Sequence, residues 1–323
     1  MSNALALSGR SHRAIRSTTA VALVAGAVLL LVTDPLRAQL PQLKPAHLNP
    51  MVQKLAAGEA VFGPIVTDFS MPNARMWARS EADYLWLDME HAPMNMEALA
   101  NFVAYSNDRA YTAKRGDTQP KNAILARFAP YPSDNAAWVA KQALDIGLMG
   151  VIFNGIDNAE QALLAVRNMR YPQRKTSKYP DPPGLRGYAP GVAVWSWGVS
   201  AAEYERRADV WPLNPDGDLL AIMMVETAEG LKNADAIAAV PGVGAIFVGA
   251  GGDLHQYLGV EANAPEVEAA FQVILRACLA HNVACGITAL SGQDIARRLA
   301  EGWKMIRTTN PALAQWRASP AGR

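Results

Sequence analysis

From Asn49 onward the chain alternates short apolar runs with segments whose apolar residues recur every three or four positions. Eight runs read as strands: Val61–Phe69, Tyr84–Met89, Ala123–Phe128, Gly150–Asn154, Leu219–Val225, Ala245–Gly249, Val283–Thr288 and Trp303–Thr308. Each is short and apolar at nearly every position, as a parallel strand covered on both faces must be. Between them, Met96–Ser106, Asn135–Ala143, Ala159–Met169, Gly230–Ala239, Val267–His281 and Gln293–Ala300 carry the spacing of amphipathic helices. The alternation predicts an α/β fold, a single-domain TIM (β/α)8 barrel over residues 51–318. An open doubly wound sheet is the alternative, but no GxGxxG follows the first strand, so a dinucleotide site is not supported.

Residues 172–217 break the rhythm. They are rich in Pro, Gly and Trp, and are expected to form a long loop insertion with a role in function or subunit contact. Trp195, Trp197 and Trp211 suit stacking on a ligand and packing on a neighbouring subunit equally well.

The start of the chain has a different texture. Arg10, Arg13 and Arg16 precede an apolar run from Ala20 to Val32, and Pro35–Ala38 follows. This is the pattern of a secretory signal peptide over residues 1–38, with a linker over 39–50. The run is shorter than the roughly 20 residues that span a membrane. The expectation is export, to the periplasm if the host is bacterial, with no stable membrane insertion after cleavage. An uncleaved signal would instead leave a membrane-anchored protein.

Composition narrows the chemistry. Half the residues are hydrophobic and 18% are charged, an ordinary globular balance, and the net charge of +1 argues against a nucleic-acid partner. Five His and two Cys without a CxxC leave little material for a zinc cluster, so carboxylates are the metal ligands to look for. Cys278 falls in a helical pattern and Cys285 in an apolar run. Both read as buried thiols in preference to a disulfide, although an oxidising compartment would permit pairing.

In a barrel the residues that end the strands face the active site. The second run ends Asp88-Met-Glu90-His91, the third reaches Arg127, the fifth ends at Glu226, and the sixth runs through Gly251 and Gly252 into Asp253. Glu226 and Asp253 end neighbouring strands about 5 Å apart. Two carboxylates so placed suit a hard divalent cation such as Mg²⁺.

These stretches, with Leu144-Asp145-Ile-Gly147, Gly184-Leu-Arg186-Gly187, Val240–Val243 and Leu258-Gly259, resemble the aldolase and citrate lyase family that includes 4-hydroxy-2-oxoheptanedioate aldolase. The likeness runs, with gaps, from about Leu55 to Asn310. It implies a metal-dependent aldolase that cleaves a 4-hydroxy-2-oxo acid into pyruvate, or a close analogue, and an aldehyde. Glu226 and Asp253 would hold Mg²⁺, Mn²⁺ or Co²⁺. His91 would be the acid–base group, supported by Asp145 from another subunit, and Asp88 a carboxylate close to it. Arg127 would steady the enolate oxygen, and Gly251 and Gly252 would lie against the substrate. A homo-oligomer, trimer or hexamer, is implied with it. The chain departs from the family pattern at Met224 (where Gln is usual), at Gly244 (usually Asp), at Phe153–Ile156, and in the longer Gly249–Asp253 loop, which lacks Pro. Two other readings stay open: a non-catalytic exported barrel that binds a small oxo acid, and a different lyase on the same metal site.

Overall fold

A computed structural model describes residues 45–128, 137–249 and 253–322, the side chain of Asp253 excepted. The expected signal peptide, residues 39–44 of the linker, and Gly251 and Gly252 lie outside the described residues. From residue 45 onward the chain is one unit. Among the described residues no helix is long and apolar enough to cross a membrane.

Strand β1 covers Val61–Gly63, β2 Ile65–Val66, β3 Tyr84–Met89, β4 Ala123–Phe128 and β5 Gly150–Phe153. Strand β6 is Val210–Trp211, β7 Leu219–Val225, β8 Ala245–Val248, β9 Ala284–Thr288 and β10 Met305–Arg307. All ten belong to one parallel sheet in the order β1-β10-β9-β8-β7-β5-β4-β3-β2, with β6 beside β7. Every expected run contains strand, and the expected eight become ten for two local reasons. Pro64 has no N–H to give to the ladder and splits the first run in two. Its carbonyl still accepts from the Trp86 N–H at 3.1 Å. The halves grip opposite ends of the sheet, β1 on β10 and β2 on β3, and so curl it into a nearly closed barrel. The other addition, β6, comes from the insertion and pairs with the first residues of β7.

Strand alternation sends Tyr84, Trp86 and Asp88 to the barrel interior, where Trp86 meets Phe247 of β8 edge to face at 4.9 Å. Such rings need empty space opposite them. A Cβ on Gly63 would lie 2.5 Å from Cδ2 of Tyr84, and one on Gly286 would collide with the Phe247 ring. Outside the sheet the helices lay down apolar stripes. Pro265–Ala280 buries Val267, Ala270, Phe271, Ile274, Leu275 and Cys278, spaced three and four apart. Each large member of such a stripe contributes about 1.5–3 kcal/mol. The expected helix Gly230–Ala239 is two short ones, Ala228–Lys232 and Ala234–Ala238, broken at Asn233. The Asn233 amide donates instead to the Asp157 carbonyl at 2.8 Å and to Glu229 at 2.9 Å.

The segment 172–217 is more ordered than a loop. It carries helices Gly191–Trp197 and Ala201–Arg207 as well as β6. Buried ion pairs fasten it, Arg170 to Asp209 at 2.7 Å and Arg207 to Asp218 at 2.9 Å. It connects helix Ala159–Met169 to the start of β7, so it sits at the N-terminal end of the barrel.

The expectation of two free thiols is corrected: Cys278 and Cys285 form a disulfide, with Cα atoms 5.7 Å apart. The tight connection over residues 281–283 returns the end of the helix onto the outer face of β9, bringing the sulfurs together.

Candidate active site

At the C-terminal end of the barrel, β3 and β4 pair in register and set Asp88 opposite Arg127. Both are interior positions, 1% and 5% exposed. The guanidinium grips the carboxylate with two bonds, Nε to Oδ1 at 3.0 Å and Nη2 to Oδ2 at 2.5 Å. Asp88 Oδ1 also accepts the backbone N–H groups of Glu90 at 3.2 Å and His91 at 3.4 Å, which turns the chain sharply after the strand. That turn brings Glu90 back: its Oε2 is 2.9 Å from Arg127 Nη1 and 3.6 Å from His91 Nε2. The Arg127 guanidinium lies over the Trp86 ring, 5.1 Å from its centroid. Its remaining contact is weak, Nη1 to the Met224 sulfur at 3.7 Å.

Met224 is two residues before Glu226, which follows β7 and is 2% exposed. Glu226 Oε1 accepts the Gly155 N–H at 2.9 Å. Gly249, after β8, matters for what it lacks. A Cβ there would lie 2.5 Å from the Glu226 Cβ and 2.9 Å from its Oε2. The carboxylate therefore sits in a cradle that only glycine leaves open. Nearby on β5's end, the buried Asn154 Oδ1 has no hydrogen-bond partner. Carboxylate and amide oxygens are the donors a hard cation takes, so the residues present fit a divalent metal. Among the described residues no three His, Cys, Asp or Glu gather to hold one without help. Asp253 begins the helix Asp253–Leu258, but its side chain lies outside the description.

The structure thus brings Asp88, Arg127 and His91 together and sets Glu226 on the same end of the barrel. It does not bring Asp145 there. Asp145 is near the end of helix Ala137–Ile146, which runs back toward the start of β5, the opposite end of the barrel. Its carboxylate bonds Lys141 at 2.5 Å and the buried Arg186 at 2.8 Å. The tryptophan segment is also at that end: Trp197 Nε1 donates to the Gly147 carbonyl at 2.8 Å, and Trp195 is 85% exposed. Within one chain, therefore, it does not cover the Asp88–Arg127 cluster.

Two groups carry more weight in the structure than the strand-end pattern assigns them. Glu90 is the link between Arg127 and His91, and its signal was already present in the Asp88–His91 run. Arg307 ends β10 on the interior face, where the only hint was a charge closing an apolar run.

A profile of the HpcH/HpaI aldolase/citrate lyase family matches residues 69–309. The chain belongs to this family. Hydroxypyruvate/pyruvate aldolase of Pseudomonas aeruginosa is 32% identical over 265 residues, 79% of this chain and 83% of that protein. The 4-hydroxy-2-oxo-heptane-1,7-dioate aldolase of Klebsiella pneumoniae is 30% identical over 268 residues, covering 78% and 84%. Among solved structures, an HpcH/HpaI family protein from Burkholderia cenocepacia J2315 superposes with a TM-score of 0.66 at 27% identity, covering 83% of this chain and 94% of that one. Macrophomate synthase shares the fold, with a TM-score of 0.60 at 20% identity. The matched span includes the cluster on β3 and β4 and the Glu226 cradle.

Proposed function

We propose that this HpcH/HpaI chain is an aldehyde-lyase, a class II aldolase that cleaves a 4-hydroxy-2-oxo acid into pyruvate (or a close analogue) and an aldehyde. The observation that supports it best is the continuous Asp88–Arg127–Glu90–His91 network on the same barrel end as the Glu226 cradle. Glu226 and Asp253 would hold Mg²⁺, Mn²⁺ or Co²⁺, with Gly251 and Gly252 against the substrate. When bound, such a cation acts as a Lewis acid and draws electron density from the keto group.

The remaining work belongs to the chain. Arg127 is held rigid by two carboxylates; its Nη1 faces Glu90 on one side and only the weak Met224 sulfur on the other, so a substrate oxygen can displace that sulfur as negative charge develops. His91 lies at the mouth with its side chain exposed. It takes the proton when the carbon–carbon bond breaks and returns it to the methylene carbon, a task suited to an imidazole near neutrality. Asp145 would serve His91 only across an interface, since it lies at the other end of its own barrel. This reading therefore carries a homo-oligomer with it. Export through residues 1–38 and a metal-loaded periplasmic site are part of the same proposal, and a buried disulfide suits an oxidising compartment.

The test is exchange of pyruvate methyl protons in D₂O, followed by NMR with purified protein and Mg²⁺ or Mn²⁺. Exchange is expected, with a loss of about 100-fold or more in His91→Asn. Absence of exchange with every divalent metal tried would leave a non-catalytic oxo-acid binder. Exchange that persists in Glu226→Ala would refute the metal assignment.

A further inference from the structure

The barrel mouth holds a second guanidinium that the aldol reading leaves idle. Arg307 ends β10, in register with Gly63 of β1 and Thr288 of β9. It shares the interior face with Met305, two residues earlier. Met305 in turn packs near Gly286, beneath the Phe247 and Trp86 rings on which Arg127 rests. The side chain is half-buried. Its Nε is buried without a hydrogen-bond partner, and no carboxylate pairs with it among the described residues. Burial pulls the guanidinium below its ordinary value. The buried Tyr84 below it opposes that pull, the Arg127 charge adds to it, and Asp88 opposes it again.

Two cations in one mouth have unequal tasks. Arg127 is neutralised twice over, by Asp88 and Glu90. Asp88 turns both oxygens to Arg127 and makes no direct bond to Arg307, on which it acts only as a nearby charge. A half-buried guanidinium with no carboxylate in direct contact is costly unless an anion visits it. Such a group offers a planar fork that matches a carboxylate. The source of that carboxylate follows from position. The oxo-acid half belongs with Glu226 and Asp253 at β7 and β8. Arg307 is two strands further round the ring, across β9, or roughly 10 Å along the hydrogen-bonding direction.

We propose that Arg307 determines specificity for the second substrate half: it receives a carboxylate carried by the aldehyde, so the 4-hydroxy-2-oxo acids this chain cleaves are dianions. The inference rests on the aldol reading for its substrate and on Arg307 alone for its charge.

The test compares aldol addition of pyruvate to succinic semialdehyde and to neutral butanal, in wild type, Arg307→Gln and Arg307→Lys. Wild type is expected to favour the acidic aldehyde in kcat/KM by about 10- to 100-fold, the range for a charge-assisted hydrogen bond. Arg307→Gln should erase that preference through the KM of the acidic aldehyde, and Arg307→Lys should keep part of it. Equal use of both aldehydes by wild type, or a preference that survives Arg307→Gln, overturns the proposal. So does a rise in the KM of pyruvate with the aldehyde preference intact, which would assign Arg307 to the oxo acid's own carboxylate. A second readout needs no turnover: calorimetric binding of succinate should weaken at least about 10-fold in Arg307→Gln. If wild type neither adds an aldehyde nor exchanges pyruvate protons, the aldol reading fails by itself. Succinate binding then decides the role of Arg307, and equal binding by wild type and variant overturns it.

Discussion

Two carboxylates hold Arg127, and the geometry ranks them. Asp88 makes two bonds to the guanidinium and is almost fully enclosed, whereas Glu90 makes one and has a side chain 16% exposed. Asp88→Asn removes the charge but leaves an oxygen for the Glu90 and His91 backbone N–H groups, so the turn survives. Breaking a buried ion pair from one side costs about 3–5 kcal/mol. Glu90 still neutralises part of the Arg127 charge, which places the expected loss near the lower end, at about 3 kcal/mol. Glu90→Gln gives up one partly screened bond and should cost about 1 kcal/mol. For a domain of this size each kcal/mol moves Tm by roughly 2 °C, so the two variants should separate by about 4 °C. Urea titration followed by far-UV circular dichroism gives the difference directly. Equal losses, or a larger loss in Glu90→Gln, would refute the claim that Asp88 is the principal anchor. Glu90→Gln should instead show itself in pyruvate proton exchange, because Glu90, and not Asp88, meets the His91 ring.

Three further outcomes follow from particular contacts. Gly249→Ala places a Cβ against Glu226 close to the backbone, where neither side can yield, so about 1–3 kcal/mol of stability should be lost; metal titration by calorimetry should weaken with it, and unchanged affinity would show that the cradle is not the metal site. Reducing the Cys278–Cys285 bond, or replacing both residues by Ala, opens a loop with a sequence separation of seven and should cost about 2–3 kcal/mol on the chain-entropy account, read from urea titration with and without reductant. A Glu268→Gln variant tests linkage: hydrogen bonding to Arg298 holds the Glu268 carboxylate below its ordinary range, burial opposing. A depressed carboxylate stabilises the fold above its unfolded pKa and loses that effect as pH falls through the folded value. The wild-type advantage, at most about 1 kcal/mol for so exposed a carboxylate, should be constant above about pH 5 and fade below it; a pH-independent difference would count against the pairing.

The barrel strands were readable because a strand covered on both faces must be apolar throughout, which leaves unmistakable runs such as Leu219–Val225. The cluster at Asp88 and His91 was readable for the converse reason, since charge immediately after such a run has no place in packing. What escaped depended on neighbours distant in sequence. Two residues at Val210–Trp211 carry no period, and they became a strand only because Leu219 and Leu220 lie beside them. The disulfide depended on where a helix returns its chain, which spacing alone does not fix. Arg307 counted as the tail of an apolar run until Gly63 and Thr288 placed it inside the ring. Asp145 could be matched by motif, but only the direction of its helix shows that it points away from its own barrel's mouth.

The seam at Pro64 has a consequence for how the molecule comes into being. Val61–Gly63 emerges early, yet its neighbour in the sheet, Met305–Arg307, is made more than two hundred residues later. Until that last short strand arrives, β1 and β9 each present an unsatisfied edge, the kind that invites pairing with other chains. Ring closure is thus the last strand pairing that synthesis permits, and it delivers Arg307 to the mouth in the same event. A polypeptide stalled before residue 305 would have both cradle and cluster in hand, an open wall beside them, and a strong tendency to aggregate.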